Sequence, residues 1–283
     1  VPAVLKYTRD VYFIENEEIV CMTKNDITFF NIDEEELEKE PTTIEWDIDA
    51  AEKGGYEFFM LKEMYEQPQA VGDTLNPRIK DGNVVIEELG MSDDEIRSIR
   101  KIYMIACGSA YHTCVSAKYV FEGLARIPVE VDLASEFRYR HPIYEPDTLA
   151  IIVSQSGETA DSLAALREAK EHGIKVLGIV NVVGSSIARE ADNVMYTWAG
   201  PEIAVATTKA YSTQLIAHYL LALKFAKARG EIDDAQMAEM VEDLKKLPGQ
   251  IEMLLENKKR IQKFANRYLA TEHVFFIGRG LDY

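Results

Sequence analysis

Cysteine is scarce in this chain of 283 residues, and the three present, Cys21, Cys107 and Cys114, show no CxxC or other zinc spacing. An odd count at low density supports no disulfide framework and fits a reducing, cytoplasmic compartment. Long apolar runs are missing too. The most apolar stretch, residues 215–226, carries His218 and Lys224. It is too short and too polar to cross a bilayer and reads as a core helix. No signal peptide is visible. Basic residues are outnumbered, 31 Lys and Arg against 48 Asp and Glu, for a net charge of -17. Nucleic-acid binding needs a basic footprint that is absent here. The excess negative charge favours solubility and leaves the fold open.

What is present is a chain long enough for one large core or two modest ones, with an ordinary apolar share of 47%. Its most informative segment is Leu149-Ala-Ile-Ile-Val-Ser-Gln-Ser-Gly-Glu-Thr-Ala-Asp-Ser162. The run Leu149 to Val153 reads as a buried strand. A helical pattern starts after Thr159, with Leu163, Leu166 and Ala169 on one side and Gly173 as its stop. Ser154, Gln155, Ser156 and Thr159 therefore crowd the point where a strand hands over to a helix N-terminus. Free N–H groups and the positive helix end suit that point to an anion, and hydroxyls donate to phosphate without adding charge. Spacing alone fits either a phosphate cradle or a Ser-rich cap with an Asx-type turn.

From residue 92 the pattern alternates. Ser92-Asp-Asp-Glu95 is a capping box before a short helix. Strands follow at 102–106, 129–133, 149–153, 176–181 and 194–198, with helices at 110–124, 160–171, 185–190 and 206–228. This order implies an α/β fold with a doubly wound, parallel, five-stranded sheet and helices on both faces. Ligands of such sheets sit beyond the carboxyl ends of strands. Both Cys107-Gly-Ser109 and Ser154-Gln-Ser156 occupy such ends, so the two loops are expected to converge on one pocket.

The flanks are simpler. Residues 3–32 alternate in short runs, Val11–Ile14, Ile19–Met22 and Ile27–Ile32, which predicts an antiparallel meander that is the tail of a larger β-rich domain. An acidic connector follows at 33–50. A helix at 56–66 is expected to end at Gln67-Pro68, with another at 68–75. Two more helices, 233–246 and 250–270, precede Val274-Phe-Phe-Ile-Gly-Arg-Gly280, which repeats the strand-then-glycine plan of residues 103–108. Such an apolar strand needs a pairing partner.

Ser154-Gln-Ser-Gly-Glu-Thr159 resembles the phosphosugar signature of sugar isomerase (SIS) domains. Ala106-Cys-Gly-Ser-Ala-Tyr111, Ala134-Ser-Glu-Phe-Arg-Tyr139, Ile203-Ala-Val-Ala-Thr-Thr-Lys-Ala210 and the segment 53–68 extend the likeness to the glutamine–fructose-6-phosphate aminotransferase (isomerizing) family over essentially the whole chain. The resemblance implies residues 1–40 as a remnant of a glutaminase domain, 41–90 as a helical linker, 91–230 as a first SIS domain and 231–283 as the opening of a second. It implies a hexose-6-phosphate ligand, a homodimer through SIS domains, no cofactor, no metal, and no nucleic-acid or membrane partner.

Carried over residue by residue, the sugar-phosphate site comprises Cys107, Gly108, Ser109, Ala110, Ser154, Gln155, Ser156, Thr159 and, by a backbone contact, Val205. The family string Cys-Gly-Thr-Ser stands here as Cys-Gly-Ser-Ala, so Ala110 lacks a hydroxyl. The family's proton-transfer glutamate, ring-opening histidine and substrate-linking lysine fall beyond Tyr283. None of His112, His141, His172, His218 or His273 matches the ring-opening position. No catalytic residue is therefore assigned, and the chain is expected to bind a phosphosugar without turning it over. Glu158 reads as a helix-dipole partner, Lys209 as an ion-pair partner and His218 as a satisfied core residue. A non-catalytic SIS sensor, a phosphosugar deglycase and a ketose-phosphate isomerase remain as alternatives.

Overall fold

The computed structural model describes residues 7–43 and 53–282 and divides into two compact units, residues 1–57 and 58–283. In the first, the strands Glu18–Met22, Ile27–Asn31 and Glu36–Leu37 form an antiparallel sheet, while Asp10–Val11 pairs with Thr42–Thr43. The expected meander is thus only partly realised. Its third strand comes from the acidic connector, and the run from Val11 to Ile14 contributes a single short bridge. The cause is Asn31, whose side-chain oxygen accepts the N–H groups of Asp33 and Glu35 at 3.0 and 2.9 Å and folds the connector back.

The second unit is built on five parallel strands: β1 Lys101–Ala106, β2 Val129–Leu133, β3 Thr148–Ser154, β4 Lys175–Val180 and β5 Asn193–Tyr196. Their order across the sheet is 2-1-3-4-5. Helices follow as α1 Phe59–Leu75, α2 Asp93–Ser98, α3 Gly108–Val120, α4 Ala134–Phe137, α5 Ala160–Glu171, α6 Ser186–Glu190, α7 Lys209–Arg229, α8 Asp234–Glu256 and α9 Lys258–Ala265. All seven residues of the central strand β3 are buried, as two covered faces require. Its period-two alternation sorts the core. Leu149, Ile151 and Val153 pack with Ile102 and Met104 toward α3 and α7, whereas Ala150 and Ile152 pack with Tyr103 and Ile105 toward α4 and α5.

Two expected helix breaks do not occur. Helix α1 runs unbroken through Pro68, because the Gln67 side-chain amide donates to the Met64 carbonyl, 3.1 Å away, that proline leaves without its backbone donor. Helix α8 continues through Pro248, with Leu244, Leu247 and Ile251 holding one face against the core on both sides of it. Helix α3 passes into a π-helical turn at Phe121–Ala125. Residues 274–277 form no strand and stand 58–96% exposed. A ladder needs a partner strand, and none lies beside them among the described residues.

Candidate functional site

Strands β1 and β3 are parallel neighbours, with Ala106 opposite Val153. The helix after β1 packs on one face of the sheet and the helix after β3 on the other. A crevice opens between two such loops, at the point where the chain reverses its direction of winding. The loops 107–110 and 154–159 both start at this crevice, on adjacent strand ends. The first turn of α5, which continues the second loop, reaches the first loop, where the Ser162 hydroxyl lies 4.0 Å from the Cys107 sulfur.

Each loop leaves donors free. Helices α3 and α5 begin at Gly108 and Ala160, and neither has a side-chain cap, so the N-cap residue takes up none of their first-turn N–H groups. Gly108 has φ +56, and a Cβ built there would meet nothing within 4 Å. Main chain and open space therefore adjoin at the start of α3. Gly108 and Ser109 are exposed, and Cys107 and Ala110 are half-buried. Ser109 also lines a cavity of about 660 Å³ with Met60, His112, Thr207, Thr208 and Tyr211.

In the second loop Ser154 is buried. Its hydroxyl accepts the Gly157 N–H at 3.1 Å and lies 3.0 Å from the Thr159 hydroxyl. The Ser156 hydroxyl accepts the Glu158 N–H at 3.2 Å while the residue stays exposed, and Gln155 is half-buried beside it. The loop is bolted to residues 181–187. Asn181 N–H donates to the Gln155 carbonyl at 3.1 Å, and Ile187 N–H donates to the Gly157 carbonyl at 3.0 Å. Gly157, at φ +66, lets Ser185 pack directly against it, since a Cβ there would lie 2.0 Å from the Ser185 hydroxyl.

Glu158 does not serve its own helix dipole as expected. Its carboxylate accepts the Ser186 N–H and hydroxyl at 2.8 and 2.7 Å and so caps the next helix, α6. Lys209 is buried and pairs with Glu66 at 2.7 Å. Val205 is fully exposed at the tip of the segment between β5 and α7. His218 is only half satisfied. Its Nε2 lies 3.4 Å from the Thr113 hydroxyl, which donates to the Ala110 carbonyl, while Nδ1 is buried without a partner. Burial pushes its imidazole down to about 3, so it is neutral.

Three groups escaped the sequence reading. Ser185 and Asn181 brace the hydroxyl-rich loop, and Glu63, 1% exposed, accepts the N–H groups of Ile203 and Ala204. Glu63, Glu66 and Gln67 fall at i, i+3 and i+4, a polar stripe that was visible in the residue order. Among the described residues no group of three or more His, Cys, Asp or Glu side chains could hold a metal, and no helix is long and apolar enough to cross a membrane.

Residues 95–224 match the SIS domain family. The chain is 54% identical over 284 residues to the glutamine–fructose-6-phosphate aminotransferase [isomerizing] of Caldanaerobacter subterraneus subsp. tengcongensis, covering 100% of this chain and 47% of that protein. The corresponding protein of Clostridium acetobutylicum is 52% identical with the same coverage. The chain thus spans about half the length of the curated relatives it matches. Among solved structures, the C-terminal domain of glucosamine-fructose-6-phosphate aminotransferase from Francisella tularensis superposes with a TM-score of 0.79. Its identity is 38%, over 82% of this chain and 66% of that one.

Proposed function

Because this chain belongs to the glutamine–fructose-6-phosphate aminotransferase family, we propose that its paired loops bind the phosphoryl end of fructose 6-phosphate or glucosamine 6-phosphate. Ser154, Gln155, Ser156 and Thr159, with the first-turn N–H groups of α5, take the phosphoryl oxygens. Cys107, Gly108, Ser109 and Ala110 form the facing wall, and the Val205 main chain meets the sugar. The observation that carries this reading is the parallel pairing of β1 with β3, which sets uncharged donors from both loops at one crevice. Uncharged donors hold a dianion without a local cation, so a net charge of -17 is no obstacle.

The whole protein, on this reading, transfers ammonia from glutamine to fructose 6-phosphate and releases glucosamine 6-phosphate and glutamate. Residues 1–40 belong to its glutaminase part, 41–90 to a linker, 91–230 to a first SIS domain and 231–283 to the start of a second. The protein works as a cytoplasmic homodimer. The residues by which the family opens the ring and moves the proton have no counterpart among residues 1–283, so the part assigned to residues 1–283 is to hold the sugar phosphate. Calorimetry tests the proposal. Either hexose phosphate gives saturable heat with the parent chain, and Ser156→Ala weakens it. No heat with either sugar, or a Ser156→Ala variant that behaves as the parent does, overturns it.

A further inference from the structure

The face of α1 that meets α7 and the segment before it is polar where a core-facing stripe is ordinarily apolar. Glu63 accepts two consecutive main-chain donors, Ile203 N–H at 2.6 Å and Ala204 N–H at 3.1 Å, through one oxygen. One turn on, Glu66 takes the Lys209 ammonium at 2.7 Å and the Gln67 side-chain amide oxygen accepts the Ser212 hydroxyl at 2.6 Å. From the other side Glu202 closes the loop. Its carboxylate accepts Thr208 N–H at 2.8 Å, Ala210 N–H at 3.2 Å and the Thr207 hydroxyl at 2.9 Å.

A segment held so firmly at both ends would be expected to bury its apolar residue, yet Val205 between the two carboxylates is wholly exposed. Burying a carboxylate such as Glu63 is costly unless its hydrogen bonds serve a geometry that apolar packing would not supply. Packing α1 on α7 needs only apolar side chains. The carboxylate instead fixes the φ and ψ angles of residues 203–204, and with them the direction of the next peptide.

We propose that Glu63 is a positioning residue for the hexose half of the site, holding the main chain of residues 203–205 where sugar hydroxyls meet it, independently of the phosphoryl grip at residues 154–159. This inference rests on the hexose-phosphate reading above. It separates two halves that lie on different elements, so ligands of different size read them separately. Inorganic phosphate reports the hydroxyl-rich loop alone, and glucosamine 6-phosphate reports both.

The test is calorimetric titration of the full chain with each of these two ligands. Glu63→Ala weakens glucosamine 6-phosphate by about tenfold, the scale of one or two lost hydrogen bonds to a charged group, and leaves inorganic phosphate within about twofold. Glu63→Gln, which presents the same carbonyl oxygen, restores most of the affinity. Should Glu63→Ala fail to fold, Glu63→Asp, too short to reach both N–H groups, carries the comparison with the same selective loss. Unchanged sugar-phosphate binding overturns the inference while leaving the hexose-phosphate reading in place, and so does an equal loss of both ligands. A parent chain that binds neither ligand removes the underlying reading itself.

Discussion

At the scale of single residues, three positions make separable claims. Ala110 stands where the family string has a hydroxyl, on the first turn of α3 beside the crevice. Ala110→Ser is expected to tighten glucosamine 6-phosphate by up to about fivefold, the worth of roughly 1 kcal/mol for one hydrogen bond, as read by calorimetry. Gly157 combines a left-handed φ of +66 with a Cβ position 2.0 Å from the Ser185 hydroxyl. Gly157→Ala is therefore expected to cost more than ~2 kcal/mol in urea unfolding and to abolish phosphate binding, because the loop must move to admit the methyl group. His218 titrates at about 3 when folded, depressed by burial, against roughly 6.5 in an unfolded chain. Between those values the unfolded state holds a proton that the folded state does not. The stability from neutral His218 is complete above about pH 6.5 and is lost as pH falls toward 3. His218→Leu should flatten this acid limb, whose slope is at most ~1.4 kcal/mol per pH unit. Urea midpoints of parent and variant at about pH 7 and about pH 5 decide it.

At the scale of elements, caps and breakers behaved unequally. The capping box at Ser92 is formed as read. The Glu95 N–H donates to the Ser92 hydroxyl at 3.2 Å, and the Ser92 N–H donates to the Glu95 carboxylate at 2.8 Å. That bond to the Ser92 N–H, with Lys175 3.0 Å away, holds the Glu95 carboxyl down at about 2. Its contribution to stability is present above the ordinary carboxylate range near 4.5 and fades as pH falls toward 2. Ser92→Ala should cost about 1 kcal/mol, visible as a lowered Tm with unchanged sugar binding, since α2 lies at the amino ends of the strands and both loops at their carboxyl ends. Prolines misled because local rules count only the main chain. At Pro68 a neighbouring amide replaces the missing donor, and no propensity scale includes that repair.

At the scale of the whole molecule, both apolar clusters lie within residues 71–251, and among the described residues of the first unit only Phe29 is a buried apolar side chain. A chain beginning at residue 58 is accordingly expected to retain the cooperative transition of the parent within a few degrees, as calorimetric melting checks. The strands, their parallel sense and the two loops could be read in advance because the pattern of each is written locally. A fully buried parallel strand is a short continuous apolar run, a cap is a four-residue pattern, and a hydroxyl-rich turn follows the strand it ends. The bracing of those loops could not be read, because it is made by residues distant in sequence. Glu63 reaches Ile203, Glu158 reaches Ser186, and Ser185 fills the space that Gly157 leaves. Sequence order alone determined the five sheet strands, the helices that alternate with them and which donors stand at their ends, since hydrophobic period and capping act within a few residues. Only the tertiary structure decided which carboxylate holds which loop, because a buried charge takes whatever main-chain donors the packing of distant helices brings within reach.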